Sequence, residues 1–209
     1  MTPPMHIGLD FDNTIVSYDA LFHKVALKGG WITAEVPVSK VSVRDHLRSI
    51  GKEPVWTEMQ GYVYGARMDE AAAYPGVVEC LVWSREQGIP VSIVSHKTRH
   101  PFLGKQYDLH AAARHWIGLH LTDAVGPLVA PERVYFELTK ESKVQHIADI
   151  GCTVYVDDLP EILLAPGFPA AASQILFDPD NHHQAQTLPR ATHWSEVRSR
   201  LEAQWRAIP

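Results

Sequence analysis

Five short apolar runs constrain the fold of this chain more than any other feature. They are HIGLD (6–10), PVSIVS (90–95), RVYFE (133–137), TVYVDD (153–158) and SQILFD (173–178). Each is rich in β-branched or aromatic residues and none alternates strictly with polar ones. Strands buried on both faces read this way, as in a parallel sheet. Helical periodicity fills the intervals. Residues 76–88 set Val77, Leu81 and Trp83 toward one side and stop at Gly88, a residue suited to a helix C-terminus. Residues 108–121 open on Asp108, a good N-cap. Residues 141–151 carry Val144, Ile147 and Ala148 on one stripe, and residues 192–205 repeat Trp194, Val197, Leu201 and Trp205. Alternation of this kind predicts a three-layer, Rossmann-like α/β core around a central parallel sheet.

One interval is too long for a simple crossover. Residues 18–74 read as mostly helical, with turns at KGG (28–30) and IGKEP (50–54). The expected organisation is therefore a core of residues 1–17 and 75–209 and a small α-helical subdomain inserted at 18–74. The insertion has its own apolar and aromatic set, including Trp31, Trp56, Met59, Tyr62, Tyr64 and Met68.

A chain of 209 residues with 45% hydrophobic and 21% charged content is ordinary for a globular protein. A formal net charge of -5 leaves no electrostatic footprint for nucleic acid or anionic lipid. No apolar run approaches the ~20 residues of a membrane span. The opening MTPPMHIGLD lacks a basic stretch followed by a long apolar one. The two cysteines, Cys80 and Cys152, have no CxxC or zinc spacing and read as reduced thiols. A cytoplasmic protein with no nucleic-acid or membrane partner is expected.

Ligands of open α/β sheets bind at the carboxyl ends of the strands. There the sequence places Asp10 and Asp12 after the first run, Ser95 after the second, Lys140 and Lys143 after the third, and Asp157 and Asp158 after the fourth. Carboxylates gathered at one spot raise one another's pKa unless a cation joins them. Hard oxygen donors favour Mg²⁺. A cation, a lysine and a serine hydroxyl together suit a dianionic phosphoryl group. Asp157 and Asp158 also suit the start of a helix at LPEIL. Of the lysines, Lys143 is preferred, because it falls within the first helical turn below the sheet edge.

In order and on the expected elements, DFDNT, SIVS, ESK and VDD resemble the four motifs of the haloacid dehalogenase (HAD) superfamily, over roughly residues 5–17 and 76–180. The resemblance implies a phosphohydrolase. Asp10 is then the nucleophile that forms an aspartyl-phosphate, and Asp12 the general acid and later base. Thr14, Ser95 and His96 hold phosphoryl oxygens, and Lys143 neutralises the charge they share. Asp10, the Asp12 carbonyl, Asp158 and Asp157 hold Mg²⁺. Asp12 marks the phosphatase branch rather than dehalogenation. Asn13 stands where many relatives have glycine, and asparagine tolerates the same turn geometry. The resemblance also makes the insertion a cap. Tyr64 and Arg67 from it, with Lys97 and Arg99 from the basic segment 95–110, become candidates for contact with a small phosphorylated substrate, a nucleotide or sugar phosphate. A mutase using the same aspartyl-phosphate and a non-catalytic binding or regulatory module are the competing expectations. A receiver-type signalling domain fits less well, since it leaves the Asp-x-Asp pair without a purpose.

Overall fold

The computed structural model describes residues 5–208. Its centre is a six-stranded parallel sheet in the order β10-β9-β8-β1-β4-β7. These strands are β1 (Ile7–Leu9), β4 (Val91–His96), β7 (Val134–Glu137), β8 (Val154–Asp157), β9 (Ser173–Phe177) and β10 (Arg190–Ala191). Four two-residue strands, β2 (Val16–Ser17), β3 (Ala72–Ala73), β5 (Thr122–Asp123) and β6 (Gly126–Pro127), lie outside it. All five apolar runs form strands. β10 has no counterpart in the sequence reading, because two residues leave too little pattern to detect.

The strand after the N-terminus lies at the middle of the sheet. Ile7 pairs with Val91 of β4 and Val154 of β8, and Gly8 pairs with Ser92 and Tyr155. β1 therefore has no exposed edge, and all three of its residues are buried. This register also brings the carboxyl ends of β1, β4 and β8 side by side, with Asp10, Ser95 and Asp157 near one level.

Helices cover the sheet where the periodicity placed them: α4 (Val77–Glu86), α6 (Lys140–Asp149) and α8 (Trp194–Arg206). α4 starts after Gly76 and precedes Gly88, both with positive φ. α6 is started by a reciprocal capping box: the Thr139 hydroxyl accepts from the Ser142 amide at 3.0 Å, and the Ser142 hydroxyl accepts from the Thr139 amide. Such a cap is worth about 1 kcal/mol. α8 buries Trp194, Val197 and Leu201, and the Trp194 indole N–H donates to the Thr14 carbonyl at 2.9 Å. A short helix, α7 (Pro160–Leu163), follows β8.

The chain forms two compact units. The first holds the sheet: among the described residues, 5–15, Ala73–His96 and 121–208. The second consists of Val16–Ala72 and Lys97–His120. It contains α1 (Asp19–Lys28), α2 (Lys40–Ser49), α3 (Glu53–Tyr64) and α5 (Leu109–His120). This corrects the expected division, which left 97–120 with the sheet. The reason is visible at the end of α3, where Gly61 in its last turn and the C-cap Gly65 both meet this segment. A Cβ at Gly61 would lie 2.6 Å from Pro101, and one at Gly65 would lie 2.5 Å from Tyr107. Two bare positions thus make a flat track for the 97–108 segment. Trp116 of α5 then donates its indole N–H to the Ala71 carbonyl at 2.9 Å. Among the described residues, no helix is long and apolar enough to cross a membrane.

Both cysteines are buried, and burial pushes each thiol up to about 12. The thiolate is the reactive form. Native protein is therefore expected to leave Cys80 and Cys152 unmodified by a disulfide-exchange reagent at mildly alkaline pH. Both should titrate once denaturant is added, as read from absorbance of the released thiolate.

Candidate functional site

The centre of the site is a buried lysine. Lys143 leaves the first turn of α6, is 1% exposed, and directs its ammonium between two carboxylates. Its Nζ lies 2.7 Å from Asp10 Oδ1 and 2.6 Å from Asp157 Oδ2. Lys140, the other candidate, points elsewhere and pairs with Glu161 at the surface. The carboxylates raise the pKa of the Lys143 ammonium more than burial lowers it, so the lysine stays charged. Burial raises the Asp157 carboxyl above the usual carboxylate range against the pull of Lys143, and Asp10 adds to the rise.

Asp10 sits just past β1, with its amide donating to the Val156 carbonyl at 2.9 Å. The Ser95 hydroxyl donates to Asp10 Oδ1 at 2.8 Å. Thr14 holds a longer contact, 3.4 Å from Asp10 Oδ2 and 3.5 Å from Asp158 Oδ1. The turn that brings Thr14 back beside Asp10 depends on Asn13, whose φ of 62 lies in the left-handed region. Asparagine enters that region with less strain than most residues. Asp12 is half-buried in the same turn.

Asp157 serves two purposes. One oxygen meets Lys143, and the other accepts from the Leu159 amide at 2.9 Å, ordering the entry to α7. Asp157 thus shapes the approach to α7 without capping it, since the N-cap is Leu159 and no side chain caps the helix. Among the described residues, Asp10, Asp157 and Asp158 form the one group able to hold a metal ion, with ligand atoms within 4.8 Å of one another. Three carboxylate oxygens are a hard donor set and fit a divalent cation such as Mg²⁺. They offer neither sulfur nor nitrogen, so they do not fit a zinc site of the structural kind.

His96, the last residue of β4, donates from Nε2 to the Leu138 carbonyl at 3.2 Å, so its ring is held by the loop after β7. The four remaining candidates belong to the second unit. Tyr64 packs edge-on against Tyr18 and Phe22, with centroids 4.9 and 5.6 Å away. Lys97 is 4% exposed, and its ammonium lies 4.9 Å from the Tyr64 ring centre. Arg67 is held by Glu70 and by the Tyr62 hydroxyl. Arg99 is tied to Asp108 at 3.2 Å. The sequence reading assigns Tyr155 to a strand and nothing more, yet its ring centre lies 5.7 Å from Lys143 Nζ. The available signal was the lone glycine in HIGLD, since a strand glycine marks close approach by a neighbour.

No family model matches the chain, and no curated protein matches it. Solved structures do. A HAD family hydrolase from Deinococcus radiodurans R1, with bound phosphate and sodium, superposes with a TM-score of 0.63 at 16% identity, covering 98% of both chains. A HAD-superfamily hydrolase from Ehrlichia chaffeensis gives 0.54 at 13% identity, again over 98% of both. A predicted phosphoglycolate phosphatase from Haemophilus somnus 129PT gives 0.51 at 18% identity, over 85% of this chain and 86% of its own. The chain shares the fold of these hydrolases.

Removing the central ammonium leaves two carboxylates buried against each other. Lys143→Met is expected to cost about 3–5 kcal/mol, whereas Lys140→Ala, at an exposed pair, should cost about 0–1 kcal/mol. Urea unfolding of the two variants beside the parent protein checks the contrast.

Proposed function

We propose that this chain, which has the fold of the HAD-superfamily hydrolases, is a Mg²⁺-dependent phosphomonoester hydrolase acting on a small phosphorylated metabolite. The observation that carries the reading is the setting of Asp10: one carboxylate held by a buried lysine and a serine, with two further aspartates alongside. Phosphate in the D. radiodurans structure supports a phosphoryl ligand on this fold. The name of the H. somnus structure supports a small phosphorylated substrate.

Asp10 is the nucleophile. Its Oδ1 receives both short bonds, from Lys143 and Ser95, while Oδ2 has the 3.4 Å contact to Thr14. Oδ2 is therefore the oxygen that attacks phosphorus, forming the Asp10–phosphate bond as the ester P–O bond breaks. Asp12 gives its proton to the departing oxygen and recovers one from the water that next attacks phosphorus. That second displacement releases inorganic phosphate and restores the Asp10 carboxylate. Thr14 donates to a phosphoryl oxygen, as does Ser95 once its hydroxyl turns from Asp10, and Lys143 offsets the charge that builds on them; His96, held at the Leu138 carbonyl, receives no role.

Asp10, Asp157, Asp158 and the Asp12 carbonyl would hold the Mg²⁺, which supplies positive charge against the phosphoryl dianion. Arg67 and Arg99 receive no role, since Glu70 and Asp108 already hold their guanidinium groups.

Assay across phosphate esters with Mg²⁺ tests the proposal. Release of inorganic phosphate is expected, with loss on chelation and recovery on adding Mg²⁺ back. Asp10→Asn should abolish turnover, and Asp12→Asn should lower it by about 10²–10⁴-fold. Isomerised ester with little free phosphate would instead identify a mutase. Binding of esters without any turnover would identify a binding module.

A further inference from the structure

The sheet face beneath Lys143 has an unusual construction. Tyr155 and Asp157 are two apart on β8 and so share a face, as do Gly8 and Asp10 at β1 and its end. The register sets Tyr155 directly beside Gly8 and Gly8 directly beside Ser92. The Tyr155 side chain is fully buried and runs across β1 at Gly8. A Cβ placed on Gly8 would meet the Tyr155 ring at 2.5 Å and the Cys152 sulfur at 2.6 Å. Beyond β1 the Tyr155 hydroxyl donates to the Val94 carbonyl. That carbonyl belongs to the peptide leading into Ser95, whose hydroxyl donates to Asp10. The ring itself lies 5.7 Å below the Lys143 ammonium.

We propose that Tyr155 is a positioning residue for the Asp10–Lys143–Ser95 group. Its ring forms the floor on which the Lys143 ammonium rests, and its hydroxyl fixes the peptide that aims Ser95. Gly8 is the clearance that lets one side chain from β8 reach β4. A ring face attracts a cation without offering a competing acceptor, so Tyr155 supports the ammonium while leaving its N–H groups to the two carboxylates. Phe11 or any aliphatic residue in the core can fill space, but only an aromatic ring with a polar tip does both tasks at this position. The functional part of this inference rests on the phosphohydrolase reading; the placement of Lys143 by the ring does not.

The test compares Tyr155→Phe, Tyr155→Leu and Gly8→Ala. The first keeps the floor and removes the anchor, the second removes both, and the third pushes the ring aside without altering a site side chain. Two readouts are taken at a temperature where circular dichroism shows the variants folded. The first is the slowly exchanging Lys143 ammonium signal in a ¹H–¹⁵N spectrum, which needs no turnover. It should persist in Tyr155→Phe and broaden away in Tyr155→Leu and Gly8→Ala. The second is kinetics on the best phosphate ester. kcat should fall by about tenfold to a hundredfold in Tyr155→Leu and Gly8→Ala with KM within about twofold, as expected for misplacement of reacting groups. Tyr155→Phe, which keeps the floor and loses the anchor of the Ser95 peptide, should fall between the parent and these two, with kcat lowered by about threefold to tenfold.

An unchanged Lys143 signal in either ring-displacing variant overturns the proposal, whether or not the protein is a phosphatase. Folded Tyr155→Leu with parental kcat overturns it as well. Should Tyr155→Leu fail to fold, Gly8→Ala decides on the same readouts, and Tyr155→Phe decides if neither folds: loss of its Lys143 signal overturns the floor. A parent protein inactive on every ester counts against the phosphohydrolase reading alone, and the ammonium spectrum still judges Tyr155.

Discussion

Everything at this site depends on one buried cation shared by two buried anions. Burying a single charge costs several kcal/mol. Lys143 between Asp10 and Asp157 compensates within hydrogen-bond distance on both sides. The group joins three segments far apart in sequence: the end of β1, the first turn of α6 and the end of β8. Asp158 lies adjacent, so three carboxyl groups gather around one ammonium. The same oxygens that tie the three segments together are a hard donor set that fits a divalent cation.

The parallel sheet supplies the geometry this group needs. Parallel strands end at one edge, and side chains two residues apart share a face. Asp10 and Asp157 are therefore brought level by the Gly8–Tyr155 pairing one step below them. Tyr155 pairs with Gly8 because only glycine leaves room for a ring laid across the strand. Packing and chemistry are coupled here: the same face that buries Val144, Ile147 and Tyr155 carries the carboxylates at its upper rim. The capping box at Thr139 starts α6 at the register that brings Lys143 to that rim.

The second unit has its own logic. Tyr18, Phe22, Trp56 and Tyr64 form a continuous aromatic cluster. Lys40 lies 5.5 Å and Lys97 4.9 Å from the Tyr64 ring centre, so one ring serves two cations. Segment 97–120 joins this unit because the two glycines at the end of α3 accept it, a preference that residue periodicity within 97–120 does not express. Periodicity reports that a helix buries one face; it does not report which partner covers that face.

The order of strands and helices, the parallel sheet, and the acids at the strand ends were all legible in the sequence, because burial periodicity and strand-end chemistry are local properties. The left-handed Asn13 was legible too, because it stands where the motif it resembles carries glycine. Choosing Lys143 over Lys140 firmly needed the tertiary structure: the two are three residues apart, about 4.5 Å along the helix, and only the packed position of α6 sends one into the carboxylates and the other to Glu161. The allegiance of 97–120 and the reach of Tyr155 across Gly8 likewise arose from packing between distant segments. Sequence pattern encodes what each element must bury, whereas the distances between charged groups exist only once those elements have been set against one another.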